Sequence, residues 1–205
     1  MHSVPTRTPA RARDRRRIAL AILAAGSVLG VGAIATLAAW NDSEFATGDF
    51  ATGQFDLEGS TDGATFSSSP TSPGKTLAFT LDSDLLAPDS TVYAPFAVQL
   101  SADSDYSADV TLTSVGSGAL ASGLTYSVYD VGTFGATCSA AAPPAGTALD
   151  ADAPATSPAT AAFALAAAED PVNLCFVVTA GSAVTQNTTA TITWEFVGTS
   201  ADPLP

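Results

Sequence analysis

Two cysteines, one histidine and several close-set aspartates are the residues of this chain whose types could do chemistry. Cys138 and Cys175 are the only cysteines. In an oxidising compartment such a pair is most simply one disulfide, with two free thiols as the other reading. A metal centre would need further ligands, and the single histidine, His2, lies far away at the chain's start. No histidine follows His2 and no arginine follows Arg17. Ser-His-Asp and Cys-His arrangements, and His-based zinc sites, therefore cannot be built from the rest of the chain. Oxygen ligands are available in "DSDYSAD" (Asp103, Asp105, Asp109) and in "DSD" (Asp82, Asp84). A calcium loop of the EF-hand type requires glycine at its sixth position and glutamate at its twelfth. Counted from Asp103, Ala108 and Ser114 stand there instead, so these acids read as solvated turns. A glycosidase needs only two carboxylates. Here the acids fall mostly in turns and at outward strand positions, where they solubilise and protect edges. No enzymatic activity, cofactor or metal is expected.

The charge is divided unevenly along the chain. Of seven basic residues in 205, six lie at Arg7, Arg11, Arg13, Arg15, Arg16 and Arg17, and only Lys75 lies beyond them. Of the 20 acidic residues only Asp14 precedes residue 39, so the remainder sets 19 carboxylates against one lysine, a formal −18. Nucleic-acid and anionic-lipid partners are excluded for that part, because phosphate contacts need Lys and Arg. Between Ile18 and Trp40 no residue is charged. A basic start, an apolar core and small residues at its exit (Ala35, Ala38, Ala39) compose an export signal, residues 1–39. The other reading is an uncleaved membrane anchor, since the uncharged run is long enough to span a bilayer. Arg15-Arg16-Arg17 could suggest twin-arginine export, but Ile18-Ala19-Leu20 fits that pattern poorly and general secretion is preferred.

The chain beyond Trp40 must position any site, and it reads as short strands of period two separated by Gly, Pro, Ser and Asp. Leu77, Phe79 and Leu81 share a face in "KTLAFTLDS", as do Phe96, Val98 and Leu100 in "YAPFAVQLS". Val110 and Leu112 do so in "ADVTLTS", and Leu124, Tyr126 and Val128 in "LTYSVYD". "VNLCFVVT" aligns Val172, Leu174, Phe176 and Val178, which leaves Cys175 on the polar side. "TATITWEFV" aligns Ile192, Trp194 and Phe196. Seven or more such strands predict an all-β fold, an antiparallel β-sandwich. Between Cys138 and its partner, residues of about 139–162 form an Ala/Pro-rich stretch that Pro143, Pro144, Pro154 and Pro158 keep from becoming one long helix. It is expected to be a loop stapled to the outer surface by the disulfide.

"FATGDFATGQF", Phe45 to Phe55, repeats Phe-Ala-Thr-Gly at a period that fits neither helix nor strand. Two copies are too few for a solenoid. The surrounding stretch resembles the secreted TasA/camelysin family, whose signals are removed by a dedicated SipW-type signal peptidase. The resemblance is carried by Ala38-Ala39-Trp40-Asn41-Asp42 at the signal's end and by Phe50-Ala51-Thr52-Gly53-Gln54-Phe55-Asp56-Leu57 after it. A second match is "LLAPDSTVYAPFAVQLSADSDYSADVTLT", although Asp89 comes directly after Pro88 and the family's usual glycine is missing there. "NTTATITWEFVGTS" is similar to the family's last strand.

The resemblance implies a jelly-roll-like sandwich over residues 55–199, a short tail at 200–205, and a secreted structural role at the cell surface or in a biofilm matrix. It implies cleavage before Trp40 and a mature N-terminal segment, residues 40–54. The part of that segment bearing Trp40, Asn41, Asp42, Phe45 and Phe50 would add as a strand to a second copy, head to tail. Membrane contact would be confined to the signal before cleavage. Some family members have been labelled metallopeptidases, an activity not carried over to a chain without His-Glu-x-x-His. The rival to the fibre subunit is a monomeric extracellular module that binds carbohydrate or protein through aromatics such as Tyr93, Tyr106 and Tyr129.

Overall fold

Period-two alternation lets a strand bury one face and wet the other, and the chain turns most of its alternating stretches to that use. The computed structural model describes residues 14–25, 43–80, 85–158 and 160–205. Contacts divide the chain into two units, Met1–Phe50 and Ala51–Pro205. In the first, residues 14–25 are helical and residues 43–50 have no secondary structure. Among the described residues no helix is long and apolar enough to cross a membrane.

The second unit carries the strands: β1 (Leu57–Ser60), β2 (Thr91–Leu100), β3 (Tyr106–Ser117), β4 (Leu124–Asp130), β5 (Thr147–Pro154), β6 (Thr160–Leu165), β7 (Val172–Ala180) and β8 (Thr191–Pro203). A 3-10 turn, Ala121–Gly123, leads into β4. Five strands form one sheet in the order β1-β2-β7-β4-β5, and three form the other in the order β6-β3-β8. Every pairing is antiparallel. The connections β2–β3, β3–β4, β5–β6, β6–β7 and β7–β8 each change sheets. The all-β antiparallel sandwich expected from the alternation is thus the fold.

The inner faces meet in one core. Val92, Phe96, Val98 and Leu100 of β2 pack with Leu174, Phe176 and Val178 of β7, Leu124, Tyr126 and Val128 of β4, and Val110 and Leu112 of β3. Each such side chain contributes on the order of 1.5–3 kcal/mol through removal from water. The tyrosine at its centre keeps its hydroxyl satisfied by donating to Ser114 Oγ at 2.7 Å. The turn into β2 accounts for the glycine missing after Pro88. Ser90 N–H donates to Ala87 C=O at 3.1 Å, and Asp89 itself takes φ of 59°. Aspartate tolerates that left-handed conformation better than most residues, so it substitutes for glycine there.

Four expectations need correction. The stretch 139–162 is not a loop throughout, because β5 and the start of β6 lie in it. The small side chains Ala153 and Ala161 are buried, and Phe163 and Leu165 continue the alternation that composition masked. In "KTLAFTLDS", Leu77 and Phe79 pack on the core while lying outside any strand; Leu81 lies outside the described residues. The segment's hold on β2 is a backbone bond from Thr80 N–H to Tyr93 C=O, 2.8 Å. The tail at 200–205 is largely strand, since β8 runs to Pro203. Cys175, expected at the surface, is fully buried.

Candidate functional site

The disulfide is formed, with Cys138 and Cys175 Cα atoms 5.5 Å apart. Cys175 sits on the outer face of β7, as the alternation requires, but that face is covered. Val131, Cys138 and Cys175 make a second small core, flanked by Tyr93, Tyr129 and Val177. The bond therefore fastens the segment after β4 onto the sheet. Tyr93 and Tyr129 are half-buried against it, and Tyr106 lies beside Gly53, where a Cβ would come within 2.6 Å of its ring. None of the three stands out as a free aromatic platform.

Asp103 and Asp109 are exposed, while Asp105 accepts a hydrogen bond from Gln54 N–H at 2.7 Å and so anchors the chain entering β1. Asp82 and Asp84 lie outside the described residues. Among the described residues no group of three or more His, Cys, Asp or Glu is placed to hold a metal ion. The Asp62 carboxyl is held far below the usual carboxylate range. The backbone N–H groups of Thr65 and Ala64 donate to it, as does the Ser60 hydroxyl, so its charge closes a tight turn after β1.

The feature that stands open is a groove of about 930 Å³ between the β1 side of the sandwich and β8. Its origin is the unequal strand count. A sheet of five faces a sheet of three, and β8 is one of the two outer strands of the smaller one. Ile192, Trp194 and Phe196 point inward from β8 as their alternation dictates, yet remain only half-buried. Phe96 stacks on Phe196 at 5.5 Å between centroids, and Phe176 lies 4.8 Å from Trp194, giving the groove an aromatic floor. The Trp194 indole N–H is shielded from solvent and has no hydrogen-bond partner among the described residues. An unpaired buried donor costs about 1–3 kcal/mol.

At one end the groove closes where Phe55 and Leu57 reach Gly198 of β8. Its other wall is a strap, residues 68–77 together with Phe79. The strap is tied at its start by paired backbone bonds between Gly59 and Ser67, 3.1 and 3.2 Å, and at its end by the Thr80 bond to Tyr93. Lys75 rides on it and donates to Ser67 Oγ at 2.6 Å. Alternation marks Leu77 and Phe79 at the strap's end, but nothing in the sequence pattern marks its earlier part or Lys75, because a lone lysine counts there only as a charge. Its neighbours Ser72, Pro73 and Gly74 carry no periodicity.

Of the residues expected to act in processing and assembly, Ala38, Ala39, Trp40, Asn41 and Asp42 lie outside the described residues. Phe45 and Phe50 are 89 % and 96 % exposed. No family model and no curated protein matches the chain.

Proposed function

We propose that this chain is an exported structural protein of the cell surface or extracellular matrix, and that its subunits join head to tail by strand addition. Residues 1–39 direct export, a SipW-type peptidase cleaves before Trp40, and the freed segment of one copy lies along β8 of the next. The resemblance to the TasA/camelysin family supports this reading, as does a charge balance that leaves no basic surface for nucleic acid. The disulfide suits an oxidising compartment. No catalytic role is proposed.

The observation that carries the reading is the match between an exposed segment bearing two phenylalanines and an uncovered groove with an aromatic floor. Two phenylalanines stand almost fully in solvent on a segment without secondary structure. An aromatic groove runs beside β8, a thirteen-residue outer strand with no lysine and with Pro203 only at its last position. Edge strands are ordinarily blunted by charges, above all Lys, by Pro or by shortness. Strand β8 keeps only the exposed carboxylates Glu195 and Asp202 and its last-position proline as such protection, and a long, weakly protected edge is a template for another chain. Such a contact is heterologous and does not close, so it propagates into a filament.

Electron microscopy and sedimentation of residues 40–205 beside residues 51–205 test this. Filaments from the longer chain and monomers with unchanged thermal unfolding from the shorter one are expected. A longer chain that stays monomeric at every concentration overturns the reading and leaves a monomeric binding module, with the groove as its ligand site.

A further inference from the structure

We infer that Lys75 receives a carboxylate of the incoming segment, Glu44 or Asp49 of a second copy, and thereby fixes its register in the groove. The inference rests on the proposed strand addition and goes beyond it by assigning the residue that selects the docked position.

Lys75 is the only basic residue after Arg17, and it stands on the groove wall. Among the described residues its polar partner is the neutral Ser67 hydroxyl. Lys75 is half-buried beside the groove's aromatic floor, and among the described residues no carboxylate is paired with it. Elsewhere the groove is lined by Asp56, Glu58 and Glu195, which repel a carboxylate placed against them.

The segment 43–50 reads Ser-Glu-Phe-Ala-Thr-Gly-Asp-Phe, with an acid immediately before each phenylalanine. In an extended strand, residues of the same parity share a face. Phe45 then shares its face with Asp49, and Phe50 shares its face with Glu44. Whichever ring enters the groove, one carboxylate turns toward the groove with it. A carboxylate brought against apolar walls needs a cation or several donors. Among the described residues the walls offer one cation and three repelling acids, so one position along β8 is favoured over its neighbours. A lysine suits the task, being a compact charge on a flexible stem that can follow either acid.

The test uses residues 40–205 carrying Lys75→Glu, Lys75→Gln, and Lys75→Glu combined with Glu44→Lys or with Asp49→Lys. Thermal unfolding confirms that each variant folds, and filament growth is followed by light scattering and electron microscopy. Lys75→Glu is expected to raise the concentration needed for assembly about tenfold or more, because it sets like charges together. Lys75→Gln, which keeps a donor for Ser67 and loses the charge, should fall between. One of the two charge exchanges should restore assembly, and which one does so names the partner acid. Assembly of Lys75→Glu at the wild-type concentration overturns the pairing while leaving strand addition standing. Loss of assembly that neither exchange restores also overturns it, placing Lys75 in the support of its own strap. A wild type that never assembles removes the strand-addition reading and this inference with it.

Discussion

At Gly198 a Cβ would stand 2.6 Å from Leu57 Cδ1 and 3.1 Å from Phe55 Cζ, so the two sheets close on β8 because nothing projects there. Gly198→Val should cost about 1–3 kcal/mol by overpacking, read as a lowered urea midpoint at an unchanged slope. The Tyr126 hydroxyl offers a second single-residue test. Burial, opposed by the donated bond to Ser114 and aided by the nearby Asp150 charge, raises its pKa above the ordinary 10.0. The unfolded chain releases that proton near pH 10 while the folded chain holds it. The stabilisation is therefore present below about pH 10 and is lost as pH rises beyond it. Denaturant titrations at pH 7 and pH 11 should show this alkaline loss, and Tyr126→Phe should reduce it. The same substitution leaves the buried Ser114 hydroxyl without its donor, at a cost of about 1–3 kcal/mol at neutral pH. Sequence alternation made the inward direction of Tyr126 legible. Its partners were not, since Ser114 lies on another strand and only the fold brings the two together.

Strands rich in branched and aromatic residues could be read directly, because their large side chains make the alternation visible: β2, β3, β4, β7 and β8 all follow it. Strand β6 could not. Thr160-Ala161-Ala162-Phe163-Ala164-Leu165 puts alanine on both faces, so composition hid a pattern that burial at Ala161 and Leu165 reveals. Leu165→Ala should cost about 2–5 kcal/mol, whereas the exposed Ala164→Ser should stay within about 0.5 kcal/mol. Equal, small effects at both positions would mean that β6 contributes no core. The same blindness applies to the disulfide. Period two placed Cys175 on the outer face correctly, but the cover over that face comes from the segment around Val131 and Cys138. Replacing both cysteines by alanine should lower stability by about 2–4 kcal/mol, given a separation of 37 residues. Guanidinium unfolding of the double variant against the oxidised wild type measures it. The groove was the least legible element. It arises from the difference between five strands and three, a property of sheet order that no single segment contains.

On the scale of the whole molecule, charge and shape pull against each other. Beyond residue 39 a formal −18 opposes any association of like copies, whereas an uncovered aromatic groove and exposed phenylalanines favour it. Salt shortens the reach of the repulsion without weakening apolar burial. Filament growth should therefore rise with ionic strength or added divalent cations, and light scattering that stays flat from low to high salt with calcium present counts against it. The central claim is that the groove takes up the segment carrying Phe45 and Phe50, and Trp194 reports on this directly. Of the two tryptophans only Trp194 remains in residues 51–205, and it lines the groove. A peptide of residues 41–50 titrated into that unit should change Trp194 fluorescence in a saturable way, and the same peptide with both phenylalanines changed to serine should not. Emission that stays constant to the peptide's solubility limit would contradict strand addition at β8.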